Sequence, residues 1–132
     1  MKTIKLIIIL CVIFTAIGAG AYFYSKFAAV STGVLRLNVG DEFIIMLSSN
    51  RTTGYQWQID RPLDGNKIKQ SGLVYVPDNT GLVGSGGKEE WKFKALKSGG
   101  SDISFKYIRP WEKGVEPVDK KVFKVEIKNG AK

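Results

Sequence analysis

The sequence predicts an all-β, immunoglobulin-like antiparallel sandwich of about seven strands, and three observations carry that prediction. After Val30, apolar and polar residues alternate with a period of two, the spacing that gives a strand one buried and one wet face. Clusters of Gly, Pro, Asn, Asp and Ser cut the alternation into short segments, and these residues supply the conformations tight turns need. No stretch after residue 30 has the apolar spacing of an amphipathic helix. Seven short strands in about 100 residues suit two packed sheets.

The strands follow in order. Leu35, Leu37 and Val39 alternate with Arg36 and Asn38. Phe43, Ile45 and Leu47 form the second set, in a segment that Ile44 and Met46 make apolar on both faces. Tyr55, Trp57 and Ile59 alternate with Gln56, Gln58 and Asp60. A less regular fourth strand lies within Lys67 to Val76, before Pro77. Trp91, Phe93 and Ala95 make the fifth inward row, Ile103, Phe105 and Tyr107 the sixth, and Phe123, Val125 and Ile127 the seventh. Neither an internal repeat nor a low-complexity linker interrupts this run.

The chain start is different in kind. Leu6 to Tyr24 is uncharged and mostly aliphatic, follows Lys2 and Lys5, and ends near Ala19-Gly20-Ala21. That is the layout of a cleaved secretory signal, and its length also suits a retained membrane anchor. Residues 1–30 are therefore expected to be a signal peptide or signal anchor, with residues 31–132 as an exported domain. Such a domain would be secreted or periplasmic, or anchored outside the cytoplasmic membrane, touching the membrane only through an uncleaved N-terminal segment. Cys11 follows Leu10 rather than the small residue that lipid attachment to a cysteine requires, which argues against a lipoprotein. It is also the only cysteine, so the exported part depends on its hydrophobic core rather than on disulfides.

Composition narrows function by exclusion. The chain has no histidine, which removes Ser-His-Asp and Cys-His catalysis and most transition-metal sites. Glu89–Glu90 and Asp41–Glu42 are adjacent pairs; on strands their side chains face opposite ways, so they read as solvated charges near strand ends. The net charge of +8 raises the question of nucleic acid. The lysines are spread along alternate strand positions, such as Lys92, Lys94, Lys124 and Lys128, with no basic run between aromatics. No enzyme, cofactor, metal or nucleic-acid partner is expected, and a monomer is.

Chain direction sorts the connections. If consecutive strands alternate in direction, the loops around 49–54, 77–87 and 109–118 share one end of the sandwich. Gly40–Asp41, Arg61–Asn66 and Ser98–Gly100 then make ordinary turns at the other. The first loop is Asn50-Arg51-Thr52-Thr53-Gly54-Tyr55. Its threonines are stiff at χ1, Gly54 tolerates a positive φ, and Asn50 can bond its own backbone further along. Asn50-Arg51-Thr52 also fits a glycosylation sequon, a weak signal. The second loop ends in Gly84-Ser85-Gly86-Gly87, which leaves backbone bare. The third opens on Arg109-Pro110-Trp111; Pro110 stiffens the stem, and Trp beside Arg has the composition of an interface hot spot. A rigid scaffold presenting loops at one end is a binding architecture.

Those three motifs resemble the N-P-T-T-G-Y/F, G-x-G-G and R-P-W loops of the chagasin family, immunoglobulin-like inhibitors of papain-like cysteine proteases. The resemblance covers the domain from about Val34 to Lys128, with one departure, Arg51 at the family's proline. It implies that Thr52, Thr53 and Gly54 enter the catalytic cleft and that Tyr55 roots their loop. Gly84, Ser85, Gly86 and Gly87 would lie along the non-primed side, and Arg109, Pro110 and Trp111 on the primed side. The partner so implied is a papain-like cysteine protease. The alternative from another class is an extracellular adhesion or carbohydrate-binding sandwich using the same loops, with Trp111 stacking on a sugar.

Overall fold

The computed structural model describes residues 28–30 and 33–130; most of the predicted signal or anchor segment lies outside them. The elements are β1 (Ala28–Val30), β2 (Val34–Asn38), β3 (Glu42–Ser49), a 3-10 turn (Arg51–Thr53), β4 (Gln56–Ile59), β5 (Ile68–Pro77), β6 (Gly87–Ala95), β7 (Gly99–Ile108) and β8 (Asp119–Lys128). All seven expected strands are there, as β2 to β8, and β1 is additional. They form two sheets, ordered β1-β3-β6-β5 and β2-β8-β7-β4. The sets β1-β3-β6-β5 and β8-β7-β4 reproduce the two sheets of an immunoglobulin-like sandwich, with β2 added beside β8.

The sandwich is not antiparallel throughout. β2 pairs parallel with β8, and β1 parallel with β3. Strand alternation itself requires the first of these: with seven strands reversing at each connection, the first and last run the same way. When they become neighbours, as Leu35 and Leu37 do with Val125 and Ile127, they can only be parallel. The other pairings, β3–β6, β5–β6, β4–β7 and β7–β8, are antiparallel.

The core lies between the sheets on the predicted inward rows. Leu35, Leu37, Phe43, Ile45, Leu47, Trp57, Phe93, Ile103, Phe105, Phe123 and Val125 are all buried there. Phe43 stacks on Phe93 at 5.4 Å, Phe93 meets Phe105 edge-on at 6.4 Å, and Phe105 meets Phe123 at 5.9 Å. That aromatic chain bridges one sheet to the other, in the offset and edge-to-face arrangements aromatic pairs prefer. β5 is the irregular strand: its register against β6 shifts between Gln70 and Gly72, and it lies at a sheet edge, where bulges concentrate.

Glu89 corrects an expectation. It is 1% exposed, not solvated, because β6 begins at Gly87, four residues before the first predicted core position. The inward phase set by Trp91, Phe93 and Ala95 therefore extends back to Gly87 and Glu89. The end of the sandwich predicted to hold simple turns does so. Gly40 N–H donates to Ala95 O at 2.8 Å, and Leu96 N–H to Lys67 O at 2.7 Å. Lys67 Nζ donates to Gly100 O at 3.1 Å.

Candidate functional site

At the opposite end the three loops touch one another. The first, between β3 and β4, is a single 3-10 turn over Arg51–Thr53. Asn50 caps it: its side-chain oxygen accepts from Thr52 N–H at 3.1 Å and from the Thr52 hydroxyl at 2.5 Å. Thr53 Oγ1 donates back to Asn50 O at 2.6 Å. Gly54 closes the turn at φ +81°, its N–H donating to Arg51 O, in the left-handed region that glycine enters without steric penalty. Adjacent threonines and a glycine are thus what this turn needs: two hydroxyls folded inward and one residue free of a Cβ.

Tyr55 roots the loop. Its ring lies 5.3 Å from Tyr107 on β7, and the Arg109 guanidinium sits 4.4 Å from the centroid of the same ring. Arg109 does more than present itself. Its Nε donates to Thr53 O at 3.1 Å, and its Nη1 pairs with Glu112 at 3.0 Å. The arginine therefore clamps the third loop onto the first, and the turn closed by Glu112 N–H on Arg109 O carries Trp111 outward. Trp111 is 66% exposed, not folded over the core. Its indole lies against Gly54, so closely that a Cβ built on that glycine would come within 2.1 Å of Trp111 Cη2.

The second loop joins from the other side. Asn50 Nδ2 donates to Gly84 O at 3.1 Å, so one asparagine side chain both caps its own turn and holds the neighbouring loop. That loop is bundled: Ser85 Oγ donates to Leu82 O at 2.9 Å and also bonds Thr80 Oγ1. Gly84, at φ +83°, has open space around it, whereas Gly86 packs close to Ser49 O. Gly87 does not offer bare backbone to solvent: it is buried inside β6. A Cβ there would come within 2.5 Å of Val76 O on the neighbouring strand and 2.7 Å of Tyr75 Oη. Gly87 makes room for the Tyr75 ring, and Arg51 stacks its guanidinium 4.5 Å over that same ring.

Arg51 thus replaces the family's proline with a cation–π contact, worth about 0.5–1 kcal/mol at an exposed site. Asn50, at φ −125° and ψ 95°, already has the extended conformation that a residue before proline prefers. The Arg51 N–H takes no part in the loop's hydrogen bonds. Proline therefore fits, and its gain of about 0.4–1 kcal/mol offsets the lost stacking. Arg51→Pro is expected to leave unfolding free energy within about 1 kcal/mol of the parent, measured by denaturant titration.

Sequence reasoning passed over two residues. Leu82 and Val83, 75% and 106% exposed, form an apolar knob on the second loop beside Gly84. Their signal was available: they are the one aliphatic pair in a run otherwise made of turn formers, Asp78 to Gly87. Tyr75, Tyr107 and Glu112 were not legible as site residues, since their roles depend on contacts between loops.

An immunoglobulin-like sandwich whose three loops lock into one rigid crest, apolar at its ends and polar at its tip, defines a binding module. Residues 36–127 match the chagasin family peptidase inhibitor I42, and the chain belongs to that family. It is 36% identical over 94 residues to Amoebiasin-2 of Entamoeba histolytica, covering 71% of this chain and 76% of that one. Chagasin of Trypanosoma cruzi is 30% identical over 80 residues, 58% of this chain and 73% of that protein. Among solved structures, the Entamoeba histolytica cysteine protease inhibitor EhICP2 superposes with a TM-score of 0.63 at 33% identity, covering 72% and 86% of the two chains.

Proposed function

We propose that this chain is a reversible, tight-binding inhibitor of papain-family cysteine proteases that plugs the active-site cleft without covalent chemistry. The observation that carries it is the continuity of the crest: Asn50 bonded to Gly84 on one side and Gly54 covered by Trp111 on the other. Thr52, Thr53 and Gly54 form the wedge that meets the enzyme's cysteine–histidine pair. Gly84, Ser85 and Gly86 line the non-primed side, with Gly87 supporting them from β6. Leu82 and Val83 add apolar contact there. Pro110 and Trp111 cover the primed side, and Arg109 holds them to the wedge. A standard interface buries about 1,600 Å² in total. Loops already ordered avoid much of the roughly 0.5–1.5 kcal/mol per side chain that ordering costs on binding.

Titrating papain or a cathepsin L-like protease with the purified domain tests this directly, and stoichiometric loss of activity is expected. No inhibition at micromolar protein across several such enzymes would overturn it; glycan binding at Trp111 without a protease complex on gel filtration would favour the adhesion alternative. Val83→Asp is expected to weaken inhibition about tenfold, the effect of losing one apolar anchor worth roughly 1.4 kcal/mol, without changing stability.

The same proposal has the domain exported as a monomer, with residues 1–30 as signal or anchor. Support comes from where the chain enters: Ala28 pairs with Phe43 at the start of β3, the end away from the crest. A tether there would leave the wedge facing outward. The N-terminal mass of the exported protein distinguishes cleavage from anchoring.

A further inference from the structure

We infer that Glu89, buried beneath the crest, is the positioning residue of the inhibitory wedge; the inference rests on the function just proposed. β3 and β4, which flank the wedge, belong to different sheets, so no ladder of strand hydrogen bonds holds the two stems of that loop together. Three cross-sheet bonds do so instead. Trp57 Nε1 donates to Ser48 O at 2.9 Å, and Asn50 N–H donates to Tyr107 Oη at 2.9 Å. The third is Glu89 Oε2, which accepts from the backbone N–H of Trp57 at 3.1 Å.

The third bond is the unusual one. Glu89 stands in β6 opposite Leu47, on an inward row shared with Trp91 and Phe93, where a leucine would satisfy the packing. Burying a carboxyl group among apolar side chains is costly unless its oxygens are used. The second oxygen, Oε1, has no partner in the protein, so the contact with Trp57 is the one this side chain makes. β4 is an edge strand of its sheet, paired on one side with β7. Glu89 reaches across from the other sheet and supplies the acceptor that a neighbouring strand would have given. Trp57 is the second residue after Tyr55, so the bond fixes the point at which the wedge re-enters the sandwich.

The test compares Glu89→Gln, which keeps an acceptor oxygen, with Glu89→Leu, which removes it at similar volume, both in the whole chain. Two quantities are read: the inhibition constant against papain, and amide exchange at Trp57 and residues 51–55 relative to core amides such as Phe93 and Phe105. Glu89→Gln is expected to remain within about threefold of the parent in both. Glu89→Leu is expected to exchange at Trp57 and in the wedge about tenfold faster while core amides keep their protection. Its inhibition should weaken by about tenfold, the factor for one net hydrogen bond. Unchanged exchange at Trp57 in Glu89→Leu, or equal losses in both variants, would overturn the inference. So would failure of both Glu89→Leu and the slimmer Glu89→Met to fold, since Glu89 would then serve the whole domain rather than the wedge. The exchange arm needs no enzyme, so a parent protein that fails to inhibit papain removes the function and leaves the role of Glu89 still decided by exchange.

Discussion

Gly54→Ala is expected to weaken inhibition of a papain-like protease about thirtyfold or more, from a single added methyl group. Two costs arise. At φ +81° an alanine carries the left-handed penalty of about 1–2 kcal/mol. The new Cβ would also lie 2.1 Å from Trp111 Cη2, which no real contact tolerates, so the indole or the turn must move. Displacing a hot-spot aromatic typically costs about 2 kcal/mol or more in binding. That loss, about 2 kcal/mol or more, corresponds to about thirtyfold or more. The backbone strain is carried by the folded inhibitor whether free or bound, so it cancels from binding and lowers stability instead, by about 1–2 kcal/mol. Inhibition constants and denaturant unfolding of the same variant separate the two. An alanine variant within a few-fold of the parent would mean that Gly54 and Trp111 do not meet the enzyme as a unit.

How much of this was legible in the sequence follows from which forces are local. Period-two alternation reports burial one strand at a time, so the seven strands and their inward residues could be read directly, and strand parity then put the three loops at one end. The neighbours of each strand are a tertiary choice. Nothing in Leu35-Arg36-Leu37 says that its partner is β8, so the parallel pair went unseen. The same holds for Glu89: a carboxyl group is buried only because Trp57 N–H needs an acceptor from the opposite sheet, a need visible only once both sheets are assembled. Within the crest, the conformation of the first loop was local and readable, in the capping of Asn50 and the positive φ of Gly54. The division of labour was not. Arg109 looked like a contact residue and proves to be largely a clamp on Thr53 O and Glu112. Gly87 looked like bare backbone and proves to be space for the Val76 carbonyl and the Tyr75 ring.

Trp111→Ala is expected to weaken inhibition about thirtyfold or more, matching the roughly 2 kcal/mol threshold of an interface hot spot. The ring is 66% exposed, so unfolding free energy should hardly change; an unaltered inhibition constant would take Trp111 out of the site. The sharper measurement combines this change with the previous one. With the indole gone, a methyl group on Gly54 has nothing to strike, and the left-handed strain that remains lowers stability rather than binding. Adding Gly54→Ala to Trp111→Ala should therefore cost inhibition only a few tenths of a kcal/mol further, not the roughly 2 kcal/mol it costs alone. Residues in contact depart from additivity by such amounts, whereas independent ones add within a few tenths of a kcal/mol. If the two losses simply add, the wedge and the tryptophan reach the protease separately, and contact between them in the free inhibitor contributes nothing to preorganising the crest. If the coupling is found, the loop is glycine at that position for the sake of its neighbour as much as for its own backbone.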